Sequence, residues 1–246
     1  MNMRQIGILA AAWLAAAPVA ATTVEFQGSA TDESGQLLYK EHHRMDGECT
    51  DGRFQPREHN VEYQLPDDGA VFARKRLTFP NSPLRPILAF SQLDFDESLT
   101  IDYPKQDRAA IEWLTPSGGQ ENFSVKFDQR LVVDSGFDHL IRAEWPTLMA
   151  GERIEFRFLA PTRGEHYGFV VEPISDKDIE ADLVVRLRPT SVFLRLLVDP
   201  IVLGYNSRGA LTDYRGLTNI RRNADDNHSA HIRYQPKRYP DCPLVP

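Results

Sequence analysis

Apolar side chains recur at every second position along most of this chain. Val24/Phe26, Val61/Tyr63, Phe123/Val125/Phe127, Ile154/Phe156/Phe158, Phe169/Val171, Leu183/Val185/Leu187 and Ile232/Tyr234 carry the pattern. A period of two turns one face toward a core and the other toward water, which predicts strands. Turn clusters separate the runs: Glu33-Ser34-Gly35, Pro66-Asp67-Asp68-Gly69, Ser117-Gly118-Gly119, Asn206-Ser207-Arg208-Gly209 and Asp225-Asp226-Asn227. Many short strands joined by tight turns predict an all-β, mainly antiparallel fold, a strongly curved sheet or barrel. Long crossover helices, which a parallel sheet would need, are missing from the pattern. Pro80 to Pro86 reads as a loop inside the domain, because alternation continues on both sides.

Two stretches depart from this period and predict one or two short helices. Ser135 to Ala150 sets Phe137, Leu140, Ile141, Trp145, Leu148 and Met149 at mostly helical spacing. Asp134 or Ser135 is placed to cap its start, Gly151 to end it, and Pro146 to kink or split it. Thr190 to Val198 follows Pro189 with capping residues, and Val192, Phe193, Leu196 and Leu197 would form its buried side; a continued strand is the other reading.

The start of the chain adds a compartment. A basic Met1–Arg4, an apolar Ile6–Ala17 and the small residues Val19-Ala20-Ala21 read as a secretory signal peptide cleaved after Ala21. The apolar run is short for a membrane span, and no Cys follows the cut to take a lipid anchor. The expected organisation is therefore a signal peptide over 1–21 and a single antiparallel β domain over 22–246, periplasmic, with no integral membrane segment after cleavage. Cys49 and Cys242 are the only two cysteines. In an oxidising compartment they predict one disulfide that tethers the Pro-rich tail. A net charge of -7 argues against nucleic acid as a partner and against overall electrostatic attraction to anionic lipid head groups.

Candidate chemistry is sparse. Leu131-Val132-Val133-Asp134-Ser135-Gly136, with Ile201-Val202-Leu203-Gly204 later, resembles the active-site elements of single-lobe aspartic proteases. That chemistry needs two carboxylates sharing a proton. Against it stand Phe137, where that family favours a small residue, and the helix-like segment that follows. The simpler reading makes Asp134 and Ser135 a helix cap, with Gly136 permitting a tight turn. His228 and His231 are the closest pair of ligand-like spacing, yet an odd separation points them to opposite faces of a strand. The other histidines read as exposed loop and strand residues. Asp94, Asp96, Glu97 and Asp102 read as solvated acidic turns, and Arg74-Lys75-Arg76 as a charged strand edge or face. Gly-x-Ser-x-Gly, P-loop and dinucleotide glycine motifs do not occur. No catalytic residue, metal site or cofactor is expected on these grounds.

The segments Gly35-Gln-Leu-Leu-Tyr39-Lys-Glu41-His42 and Tyr63-Gln-Leu-Pro66 through Lys75 resemble an uncharacterised family of secreted β-rich proteins of Gram-negative bacteria. So do Gly136-Phe137 through Trp145, Leu148-Met-Ala-Gly151-Glu152, Phe158-Leu-Ala-Pro161-Thr-Arg163, Tyr214-Arg-Gly216-Leu-Thr-Asn219-Ile220 and Ile232-Arg-Tyr234. The layout is loosely similar to the half-barrel of periplasmic lipoprotein carriers, and that resemblance implies an apolar groove for acyl chains. The expectation is a non-enzymatic periplasmic protein that binds a lipid or other apolar small molecule, or assists the cell envelope. Phe137, Ile141, Trp145, Leu148, Phe158 and Arg163 would contact the ligand; Arg163, Arg215 and Arg221 are candidates for a groove mouth. An aspartic-type hydrolase using Asp134, and a structural or partner-binding envelope protein, are the other two readings. No protein partner is specified.

Overall fold

The computed structural model describes residues 21–127, 130–196 and 198–246. The expected signal segment ahead of Ala21, and Leu197, lie outside the described residues. Eight strands come first: β1 (Ala21–Thr31), β2 (Leu37–Thr50), β3 (Arg53–Gln64), β4 (Val71–Thr78), β5 (Ile87–Gln92), β6 (Glu97–Lys105), β7 (Arg108–Leu114) and β8 (Gln120–Lys126). A two-residue β9 (Leu131–Val132) leads into helices α1 (Gly136–Ala143) and α2 (Trp145–Met149). Then follow β10 (Ile154–Ala160), β11 (Glu165–Pro173), β12 (Leu183–Pro189), the short α3 (Val192–Arg195), β13 (Ile201–Tyr205), β14 (Leu211–Arg221) and β15 (Asn227–Arg238).

All fifteen strands form one sheet in the order β8-β7-β6-β5-β4-β3-β2-β1-β15-β14-β13-β12-β11-β10-β9. The first and last strands pair at its centre. The chain meanders outward from β1 to β8, crosses to β9 and meanders back. The sheet is strongly curved and not closed: its two edges, β8 and β9, are consecutive in sequence. Every ladder is antiparallel except β9 with β10. Side-chain and loop contacts bridge the seam. Phe123 packs against Gly164, and His166 Nε2 lies 3.2 Å from the Lys126 carbonyl oxygen.

Local sequence explains the curvature. Bulges fall at Glu25/Phe26 in β1, Asp46/Gly47 in β2 and Leu217/Arg221 in β14. A bulge bends its strand and raises the local twist. Gly47 sits at one of them, with the Phe54 ring packed where a side chain would stand.

The interior divides in two. One cluster, with Tyr39, Val61, Tyr63, Leu77, Ile101 and Ile111, is built mainly by β1–β8, β14 and β15. The other joins Leu140, Ile141, Trp145 and Leu148 of α1–α2 to Phe156, Val171, Leu183, Val185 and Leu203 of β10–β13. Pro146 splits the helical stretch as expected, and Gly151 ends it at φ +85°. The cap is different from expectation. Neither Asp134 nor Ser135 caps α1 through its side chain, because the Asp134 carboxylate is drawn to Lys75 Nζ at 2.8 and 3.0 Å. Gly136 is needed for another reason: the Leu84 backbone lies where a Cβ would be.

Cys49 and Cys242 form the expected disulfide. The tail it holds is packed. Leu244 joins Val24, Met45 and Phe54 in a small cluster, and Phe54 N donates to Pro243 O at 3.0 Å. Among the described residues no helix is long and apolar enough to cross a membrane.

The Thr190–Val198 expectation is corrected. Ser191 does cap a helical turn, its Oγ accepting from Leu194 N at 3.5 Å. The side chains expected to be buried are not: Val192 is 71%, Phe193 69% and Leu196 81% exposed. The turn lies in the β12–β13 connection, and these side chains have no neighbouring layer over them.

Candidate functional site

A groove of about 760 Å³ crosses the outward face of β15 and β1–β6. Its lining follows from the period of two. Residues alternating with the interior ones project outward: Gln27, His42, Arg44, Glu62, Arg74 and Arg76. Ala89, Ser91, Ser98 and Thr100 on β5 and β6 are small and leave the hollow beside these longer chains. Lys237 closes one side. The guanidinium groups are held in place. Arg44 meets Glu25 at 2.6 Å and Asp46 at 2.9 Å, Arg76 meets Glu58 at 2.9 Å, and Arg74 lies 3.5 Å from Glu62. Hydrogen bonding to Arg76 and Asn60 lowers the Glu58 pKa. Glu25 and Glu62 line the groove beside these cationic groups, so it offers guanidinium and ammonium donors to an anionic group in competition with the carboxylates already there. Arg74, Lys75 and Arg76 all border the groove, and the Lys75 ammonium group turns inward to Asp134.

Behind this wall lies a buried polar network. Tyr234 donates its hydroxyl to Glu41 Oε2 at 2.8 Å, across β1. Gly28 makes this reach available, since the Tyr234 ring lies 2.7 Å from where its Cβ would be. Glu41 Oε2 is also 2.8 Å from His43 Nε2, and His43 Nδ1 is 3.0 Å from His59 Nε2. Assigning hydrogens from the contacts, His59 Nε2–H donates to His43 and His43 Nε2–H donates to Glu41. His59 Nδ1 is then a buried acceptor with no partner. Phe26 stacks on the His43 ring at 4.2 Å. Burial first, then the nearness of His43, His139, Lys75 and Arg142, holds the His59 pKa well below its usual value. From α1, Asp138 and Arg142 form a buried pair at 2.8 Å, and Arg142 Nε donates to Gly209 O at 2.8 Å. His139 is pushed down to about 3 by burial and then by Arg142. A second node lies where β14 meets β6: Arg221 pairs with Glu97, and Trp113 Nε1 donates to Glu97 Oε1 at 2.8 Å. Among the described residues no group of three or more His, Cys, Asp or Glu side chains is placed to hold a metal ion.

No protein-family model matches the chain, and no curated protein does. Two solved structures are similar over most of its length. One is a β-barrel-like protein of a domain of unknown function, DUF1849, from Brucella abortus, with 8% identity over 88% of this chain and 94% of that one, at a TM-score of 0.37. The other is a domain described as an outer-membrane lipoprotein-sorting protein, from Vibrio parahaemolyticus, with 9% identity over 90% and 85% and a TM-score of 0.29. At such scores the functional reading rests on this chain's own residues.

Five of the six expected ligand contacts come together. Ile141, Trp145 and Leu148 are buried, and Phe137 and Phe158 pack against the same cluster. They fill the space between α1–α2 and the sheet. Arg163 stands apart, exposed in a 3-10 turn over Pro161–Arg163. Arg215 faces Asp176 and Asp178, and Arg221 faces Glu97. None of these three arginines borders the 760 Å³ groove. Asp134 is engaged by Lys75 and accepts from Ser135 N at 2.7 Å, so the place a second carboxylate would take in a proton-sharing pair is held by a lysine.

Two expectations are corrected. Glu97 is not a solvated acidic turn residue, because Arg221 and Trp113 give it partners inside. His43, His59 and His139 are not exposed histidines, since each sits on an inward-facing position. The alternation held the signal: Glu41 and His43 share parity with Tyr39 and Met45, both buried on β2.

Proposed function

We propose that this protein is a non-enzymatic periplasmic binding protein, and that it takes the charged head of an anionic amphiphile in the outward groove. The observation that carries this reading is the excess of cations, Arg44, Arg74, Arg76 and Lys237 against Glu25 and Glu62, around a groove of about 760 Å³ on a chain of net charge -7. That is a size suited to a small ligand. The small residues on β5 and β6 leave room, and the fixed guanidinium groups supply the donors. The Cys49–Cys242 disulfide supports an oxidising compartment.

The test is mass spectrometry of protein purified natively from the periplasm, with organic extraction of the same sample. A co-purifying anionic lipid or other amphiphile, lost in Arg74→Glu/Arg76→Glu, supports the reading. A clean protein mass that also takes up no added anionic amphiphile overturns it. Contact through Phe137, Ile141, Trp145, Leu148 and Phe158 would require α1–α2 to leave the sheet. In that case ligand retention would be insensitive to the groove charges and lost when α1–α2 is locked by an added crosslink.

A further inference from the structure

The β12–β13 tip is built, apolar and uncovered. Val192, Phe193, Leu196 and Val198 are 71%, 69%, 81% and 40% exposed within seven residues. This is not a loosely written loop. Prolines 189 and 200 bracket it. Leu194 N donates to Ser191 Oγ, Arg195 N to Ser191 O at 3.2 Å, and Val198 N to Leu194 O at 2.9 Å. Arg195 folds back, donating from Nε to Pro189 O at 3.0 Å and from Nη2 to Thr190 O at 2.7 Å. The apolar side chains are thus held outward by the turn's own hydrogen bonds.

We infer that this tip inserts into the surface of a bilayer that carries anionic lipid. Successive residues of a helical turn point about 100° apart, so Val192 and Phe193 leave it in different directions. A groove on a protein fits one face of a turn, whereas a hydrocarbon medium accepts all of them. Four side chains also fall far short of the roughly 20–30 residues a side that a standard protein interface or a stable dimer uses. At the base two arginines, Arg195 and Arg157, outnumber the one carboxylate of the tip, Asp199, and leave a net positive charge for lipid phosphates. Arg195 hydrogen-bonds only carbonyl oxygens there. Arg157, which reaches the Thr190 side of Gly168, bonds His166 through its ring nitrogen and carbonyl oxygen. Apolar residues at a tip above arginines is the arrangement by which shallow insertion and headgroup contact act together. The inference does not depend on the outward groove.

The test is vesicle flotation of the purified full-length secreted protein, using phosphatidylethanolamine/phosphatidylglycerol 3:1 vesicles and, separately, pure phosphatidylcholine. Wild type should float with the first and less with the second. Phe193→Ser/Leu196→Ser should lower partitioning by roughly tenfold or more, because two exposed apolar side chains lose their burial. Its circular dichroism and Tm should match wild type, since both residues are exposed. Phe193→Trp should shift its emission to the blue on adding the anionic vesicles. Failure of wild type to float, equal flotation of the double variant, or an unshifted tryptophan would each overturn the inference, and so would tip-dependent crosslinking to a protein in the absence of vesicle binding.

Discussion

Two helical segments of this chain carry similar apolar residues and meet opposite fates. In α1–α2, Ile141 and Leu148 are each about 1% exposed, packed against β10–β13. In the α3 turn, Phe193 is 69% and Leu196 81% exposed. Local propensity does not separate them, since both begin after Ser and carry Leu and Phe. What differs is the layer that covers them. The first packs on β10–β13, and the second stands in the β12–β13 connection with its apolar side chains uncovered. An apolar stripe reports that a segment needs cover, without saying whether the chain itself provides it.

The largest expected effect breaks the covered segment at its charge pair. Arg142→Met leaves the Asp138 carboxylate buried without its partner, and burial already raises the Asp138 pKa against the pull of Arg142. A loss of about 3–5 kcal/mol in urea unfolding is expected. Asp138→Leu/Arg142→Met should regain most of it, because an apolar pair of similar volume avoids the buried charge. A single variant with unchanged stability would contradict the pairing. Next, Leu148→Ala should cost about 2–5 kcal/mol through lost burial and the cavity left behind.

Acid should weaken the same region. His139 is held at about 3, against 6.5 unfolded, by burial and Arg142. A histidine kept neutral in the fold contributes stability that is complete above about pH 6.5 and is lost as pH falls toward about 3. His59, facing His43, His139, Lys75 and Arg142, acts in the same direction. Asp138 acts oppositely, since a raised carboxyl pKa contributes stability at low pH that is lost as pH rises through its folded value. The histidines outnumber it, so urea midpoints should fall with acidification below about pH 6.5. His139→Gln should flatten that fall, and an unchanged slope would count against the burial of His139.

The smallest effect belongs to the uncovered segment. Leu196→Ala and Phe193→Ala should each change stability by no more than about 0.5 kcal/mol, because neither side chain packs on the fold. A loss comparable to that of Leu148→Ala would show that the tip is covered after all.

The strands were legible because alternation is a local property, and so were the split at Pro146 and the disulfide. The seam between β8 and β9 was not, because it depends on where fifteen strands of accumulated twist bring the two edges. The inward histidines were missed for a related reason. His43 and Lys75 occupy core parity but carry polar side chains, and their partners lie in distant strands and loops: Glu41 and His59 for one, Asp134 for the other. The groove was missed because Arg74 and Arg76 share β4 while Arg44 comes from β2, and only the register through Asn60 of β3 brings Arg44 into line with Arg76. Ile141, Trp145 and Leu148, expected as ligand contacts, pack together in a cluster that fills a core.

The most direct test of the central claim is calorimetric titration of the purified protein with a soluble anionic lysophospholipid and its zwitterionic counterpart. The account predicts saturable binding of the anionic compound, weaker binding of the zwitterionic one, and loss of the difference in Arg74→Glu/Arg76→Glu with a cooperative unfolding transition retained. Equal heats for both compounds, or an anionic preference that survives the charge reversal, would contradict the assignment of the groove.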